Sequence, residues 1–126
     1  MNIVLWVVQG LLAIVFLMAG GMKLIRSRQD IIDSGQDWAE HYQEGFIKAI
    51  GVAEVLGAVG LVVPALTGIL PVLTPLAAAG LVVIMIGAAV VHIRRSEVVP
   101  FAIMNSVLGL AAAFIAVGRF VLVPVL

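Results

Sequence analysis

The sequence predicts an all-α polytopic membrane protein: an antiparallel bundle of four transmembrane helices, with a short amphipathic interfacial helix between helices 1 and 2. This fold class is predicted by the apolar composition and by the uneven distribution of the charged residues. Hydrophobic residues make up 63% of the 126 residues and charged residues only 11%, whereas soluble domains are ~45–50% apolar and ~25% charged. We expect one transmembrane domain over residues 1–126 that contacts the lipid bilayer.

The charged residues leave long apolar stretches. Nine of the 14 lie between Lys23 and Lys48, and residues 1–22, 55–93 and 98–118 carry no charge. One helix needs ~20 apolar residues to cross ~30 Å of hydrocarbon, so the first and last stretches each supply one crossing. The absence of an apolar/polar alternation with period 2 excludes a membrane-spanning barrel.

The middle stretch is long enough for two crossings. It is interrupted by Pro64, Gly68, Pro71 and Pro75, a density of proline and glycine that breaks helices and favours a turn. We therefore predict four spanning helices, near residues 2–22, 46–65, 71–92 and 99–121.

Charge and cysteine content exclude several functions. The formal net charge is zero and there is no Cys, which argues against nucleic-acid binding, disulfides, Cys-ligated zinc and iron–sulfur clusters. Haem between helices needs His ligands at membrane depth, and the two histidines, His41 and His92, lie in a loop and at the membrane rim. We expect no metal and no cofactor, and the chain carries neither a redox centre nor a catalytic motif that would make it an enzyme.

Lys and Arg predict the orientation. Six of the seven lie at the side where helices 1–2 and helices 3–4 are joined, and Arg119 lies at the opposite side. The positive-inside rule places the two connections in the cytoplasm and both termini outside. We expect a multi-pass protein of the cell inner (plasma) membrane.

The connection between helices 1 and 2 is patterned over residues 29–46, and we predict an amphipathic helix at about residues 34–45. Ser34 and Asp37 resemble a capping box, and Trp38 and Tyr42 are suited to anchor an amphipathic helix at the membrane surface. The acidic face of this segment is either solvated or a docking face for a basic partner. At helical spacing it contains Asp33, Asp37, Glu40 and Glu44.

Small residues recur on the apolar helices, as at Gly51, Gly57 and Gly60. Helices in lipid pack closely through such residues. We expect them to serve contacts within the bundle, or a contact in a homo-oligomer.

Glu54 is the most informative residue because it lies within an apolar helix. It is about six residues, or ~9 Å, into predicted helix 2, and a charge near the bilayer centre costs at least ~2.5–3.5 kcal/mol. It should therefore face the bundle interior. The candidate polar cluster is Glu54, Asn105, His92 and Lys23, and either it locks the register of the helices or it forms a small-molecule or proton site.

Three segments resemble the DoxX-like family of small four-helix membrane proteins. They begin at Phe16, Gly51 and Met85, and read FLMAGGMKL, GVAEVLGAVGLVVP and MIGAAVVHIR. The resemblance implies Lys23, Glu54 and His92 as matched polar positions without an established catalytic role. It also implies a link to membrane redox assemblies, including quinone-reducing ones.

Two functional hypotheses follow. In the first, the protein is an accessory or assembly subunit of a membrane complex, redox- or quinone-linked, with a membrane-protein partner. In the second, it is a stand-alone protein that binds a quinone or another lipid in a pocket around Glu54, or a membrane enzyme using that pocket. Proton-transfer catalysis would need a second titratable group, for which His92 is the candidate. A transporter is disfavoured because we find no inverted repeat.

Overall fold

A computed structural model describes residues 1–36, 39–40, 42–96 and 101–122. Within these ranges the chain is helical and contains no strand. Four helices are long and apolar enough to span a membrane, which confirms the predicted class. The spanning helices are α1 (Asn2–Ile25), α3 (Glu44–Thr67), α4 (Leu73–Arg94) and α5 (Ile103–Val117), the last continued by a π-helical turn (Gly118–Leu122).

The spanning helices form an antiparallel bundle, as predicted. α1 packs along α3, α3 along α4 and α4 along α5, whereas α1 and α5 share a much smaller contact. We call the end where α1 and α4 finish the charged end, and the end where α1 begins and α5 finishes the terminal end. The core between the helices is apolar and includes Phe16, Leu61, Leu81 and Ile115.

Proline and glycine shape the turn between α3 and α4. Gly68 adopts φ +73°, which glycine reaches without steric cost, and its N–H donates to Pro64 O at 3.0 Å. Buried Thr74 accepts a hydrogen bond from Ala65 N at 3.2 Å. Pro64 lies inside α3 rather than ending it, and the turn satisfies backbone groups next to this proline.

The short helix between the first two spanning helices is α2 (Arg28–Asp33), earlier in the chain than residues 34–45. Ser27 caps it by accepting a hydrogen bond from Asp30 N at 3.1 Å. Ser34, expected to begin a helix, ends this one, and Gly35 at φ +99° follows. The predicted anchor Trp38 and its neighbour Asp37 lie outside the described residues.

Arg28 fixes the rest of this connection to α2. Its Nε donates to Ala39 O at 3.0 Å and to Tyr42 O at 2.8 Å, and its Nη2 donates to Glu40 O at 2.7 Å. A small apolar cluster lies beneath these contacts and contains buried Ile31, Ala39 and Ile47. The connection is therefore a folded cap on the charged end.

Candidate functional site

Glu54 is buried in the middle of α3, with only 2% of its surface exposed. Its position follows from a very close approach of α1 to α3, where Gly20 faces Gly51. A Cβ added at Gly20 would lie 2.7 Å from Gly51 O, and one added at Gly51 would lie 2.9 Å from Gly20 O. A Cβ at Gly20 would also lie 3.0 Å from Glu54 Cβ, so Glu54 is level with Gly20, five residues or about 8 Å below the end of α1.

Lys23 neutralises this carboxylate. Its Nζ lies 2.7 Å from Glu54 Oε1, an ion-pair distance, although the approach is bent away from hydrogen-bond angles. Lys23 is 13% exposed and belongs to the last turn of α1. The flexible lysine stem lets a cation from the rim of the bundle reach a buried acid.

A second lysine secures the end of α1 beside this pair. Lys48 Nζ donates to the carbonyl oxygens of Lys23, Leu24 and Arg26 at 3.2, 3.0 and 3.2 Å. The last carbonyls of a helix lack helical partners and carry the negative end of the helix dipole, so a cation there is stabilising. Lys48 thus holds the turn that presents Lys23.

His92 lies on the opposite side of the bundle, in the last turn of α4. It is 7% exposed and its ring stacks on Phe101, with 5.0 Å between ring centroids and 18° between planes. Asn105 follows on α5 and is half-buried. These two residues supply polar groups to the α4 and α5 walls.

The four predicted cluster residues line one cavity of about 1380 Å³ at the charged end, bounded by all four spanning helices and by the connection between α1 and α3. Lys23 and Glu54 are in direct contact on one wall, and His92 and Asn105 lie on the others. Tyr42, the other predicted anchor, also lines the cavity and stacks on Phe46 at 5.2 Å. Four of the five methionines are in the lining: Met18, Met22, Met85 and Met104.

The cavity is chemically mixed. Most of its lining is aliphatic, aromatic or thioether, and polar groups occur chiefly toward the charged end. Typical small-molecule sites have volumes of ~300–1,000 Å³ and are mostly apolar with a few polar groups, so this cavity suits a larger amphiphilic molecule. Among the described residues, no group of three or more His, Asp or Glu side chains is placed to hold a metal ion.

A second buried polar network lies at the terminal end, and sequence reasoning missed it. Arg119, 2% exposed, donates from Nε to Gln9 Oε1 and from Nη1 to Asn2 Oδ1, both at 2.7 Å. Gln9 Nε2 donates to Leu61 O at 2.6 Å, and the Arg119 guanidinium lies 5.3 Å from the centre of the Trp6 ring. Two features of the sequence indicate this network. Asn2 and Gln9 are seven residues apart, which places them on one face of helix 1, and Arg119 is the one charged residue at the same end of the last helix.

Comparison with models of known protein families identifies the family of this chain. The profile of the DoxX-like family matches residues 7–115, which cover all of α3 and α4 and most of α1 and α5. The chain belongs to the DoxX-like family. A comparison with curated proteins found no match, and a comparison with solved structures found none either. In this DoxX-like protein the matched region contains Lys23, Glu54 and His92, whereas Arg119 lies beyond it.

Proposed function

We propose that this DoxX-like protein binds an amphiphilic small molecule, a lipid or a quinone, in the cavity at the charged end of the bundle. The observation that carries the proposal is a cavity of about 1380 Å³ with a mostly apolar lining and a buried Lys23–Glu54 ion pair in its wall. Apolar walls suit a hydrocarbon or prenyl chain, and polar groups near the rim suit a headgroup.

The ion pair suits such a site because it places charged groups in the wall of a mostly apolar cavity. A buried charge is costly unless it is paired and hydrogen-bonded. A headgroup with a hydroxyl or carbonyl oxygen gains a donor from Lys23 or from the amide of Asn105 across the cavity. Binding then adds partners to a pair that the fold has already placed.

Two glycines of α4 provide a matched test. A Cβ added at Gly87 or at Gly80 meets no atom within 4 Å, but only Gly87 lines the cavity. Leucine also favours a helix by up to ~1 kcal/mol over glycine, so both variants should fold. We expect Gly87→Leu to reduce the bound amphiphile detected by mass spectrometry after gentle purification, and Gly80→Leu to retain it. Equal retention by the two variants would refute the proposal.

A second candidate function is that of an accessory subunit in a membrane complex. In the part of the chain that the structure describes, no atom of another element lies within 4 Å of a Cβ added at Gly80 on α4 or at Gly10 on α1. Small residues on a lipid-facing surface allow another helix to approach closely. If this function holds, Gly80→Leu and Gly10→Leu reduce chemical cross-linking to another subunit or copy in native membranes, and Gly87→Leu does not.

We also propose that the charged end faces the cytoplasm of a plasma membrane, because it holds six of the seven Lys and Arg residues. The Cys-free sequence makes the test direct. A cysteine at exposed Leu70 should react with a membrane-impermeant maleimide added to intact cells, and one at exposed Ser96 should react only after lysis. The reverse pattern would contradict the orientation.

A further inference from the structure

We propose that the occupant of the cavity is a phospholipid with an anionic headgroup, taken laterally from the adjacent leaflet through the gap between α1 and α5. This inference rests on the proposed function, and it adds the class of the ligand and its route.

The cavity has the depth of one leaflet. Its deepest lining residue on α1 is Val15, about 15 Å from the end of that helix, and on α4 it is Val83, about 17 Å from the end. Half of a ~30 Å hydrocarbon core is about the same distance. A lipid standing in the cavity would therefore have its chains at their normal depth.

Polarity changes along the same axis. Lys23 and Arg26 lie at the end of α1, and His92 lies at the end of α4. Farther in, the walls are apolar apart from Glu54 and Asn105, with residues such as Phe16 and Leu108. The cavity thus has a polar region at headgroup level and an apolar region below it.

The gap between α1 and α5 opens toward the acyl chains. Met18 on α1 and Met104 on α5 both line the cavity and are 70% and 50% exposed. At the terminal end the same helices are held together, since Arg119 binds Asn2 and Gln9 and a Cβ on Gly118 would lie 2.5 Å from Leu5 Cδ2. The two helices are held together at the terminal end, and exposed residues of both line the cavity toward the charged end.

Charge selects the headgroup. Glu54 is the one acidic side chain among the described lining residues, and Lys23 already pairs with it. Arg26 is an additional cation, exposed at the end of α1. A lining with Arg26 in excess favours an anionic headgroup over a zwitterionic one. Thioether side chains such as Met18 and Met104 are flexible and adapt to acyl chains of different shape.

The headgroup is tested with full-length protein reconstituted in vesicles of equal phosphatidylglycerol and phosphatidylcholine with added oleate, and then extracted gently. Retained lipids are quantified by mass spectrometry. We expect the wild-type protein to retain phosphatidylglycerol over phosphatidylcholine, and Arg26→Gln to lower that ratio about fivefold. The matched control Arg94→Gln removes an exposed cation at the same end that does not line the cavity, and should leave the ratio unchanged.

The route is tested with two tryptophan variants on α5. Met104 lines the gap, whereas Val107 is 59% exposed on the same helix and does not line the cavity. Met104→Trp should lower phosphatidylglycerol retention several-fold, and Val107→Trp should not.

Three results would overturn the inference: equal retention of the two phospholipids, equal effects of Arg26→Gln and Arg94→Gln, or retention of oleate alone. If any of them occurs while Gly87→Leu still empties the cavity, the anionic phospholipid is refuted and the proposed function stands. If Gly87→Leu and Gly80→Leu retain the same lipid, both fail.

Discussion

The Lys23–Glu54 ion pair gives the sharpest stability prediction, because its two members are buried unequally. Glu54 is 2% exposed and Lys23 is 13% exposed, with 2.7 Å between the charged atoms. Removing one member of a buried pair costs ~3–5 kcal/mol, because it leaves an uncompensated charge. Replacing both members removes that penalty.

The asymmetry decides which single substitution costs more. In Lys23→Met the carboxylate of Glu54 remains buried, with its residue about 8 Å below the end of α1, so we expect a loss near the upper part of that range, about 4 kcal/mol. In Glu54→Gln the remaining ammonium can extend toward the rim, and the loss should be smaller, about 1–2 kcal/mol. Glu54→Leu should fold less well than Glu54→Gln, because it leaves no polar group for Lys23.

The free energy of unfolding is measured in mixed micelles by SDS titration, and far-UV circular dichroism follows the loss of helix. The double variant Lys23→Met/Glu54→Gln should be more stable than Lys23→Met alone, with a coupling energy of about 2 kcal/mol, well above the ~0.6 kcal/mol average of interhelical hydrogen bonds in membranes. Equal losses in the two single variants, together with strict additivity in the double variant, would refute this reasoning.

Three further predictions use the same assay. Gly20→Ala should destabilise the protein by about 2 kcal/mol by forcing apart the α1–α3 backbones, whereas Gly21→Ala, whose Cβ meets nothing within 4 Å, should be neutral; equal effects would contradict the close approach. Arg119→Met should cost about 2–3 kcal/mol because it leaves Gln9 Oε1 buried without its donor, and the loss should shrink in a Gln9→Leu background; an unchanged loss there would argue against the network. Lys48→Met should cost about 1 kcal/mol by uncapping α1, and Lys48→Arg should recover part of it; equal losses would show that the cation is not needed there.

The four spanning helices could be predicted because apolar length and charge position alone determine them. The pairing of Lys23 with Glu54 was also accessible, since a buried carboxylate needs a counter-charge and only a few polar residues lie at its depth. The position of α2 could not be predicted from the sequence. Ser27 and Ser34 are both plausible N-caps, and only the fold shows that Ser27 begins the helix.

The terminal network and the shape of the cavity depend on contacts distant in sequence. Arg119 and Gln9 are 110 residues apart, and neither residue type at its position specifies the other. The cavity lies in a bundle in which α1 and α5 share only a small contact, and how closely two helices approach depends on packing along all four. The binding role of Glu54, Asn105, His92 and Lys23 stays a prediction.

The inward placement of Lys23, Arg28 and Lys48 leaves mostly acidic side chains on the surface of the connection between α1 and α3. Lys23, Arg28 and Lys48 bind Glu54 or carbonyl oxygens, whereas the carboxylates of Asp30, Asp33, Glu40 and Glu44 are exposed. During biogenesis, before the helices associate, the same lysines and arginine are available to set the direction of insertion. Once the bundle has assembled, the exposed side chains of this connection are mostly acidic, and Arg26 is exposed beside them as a cation.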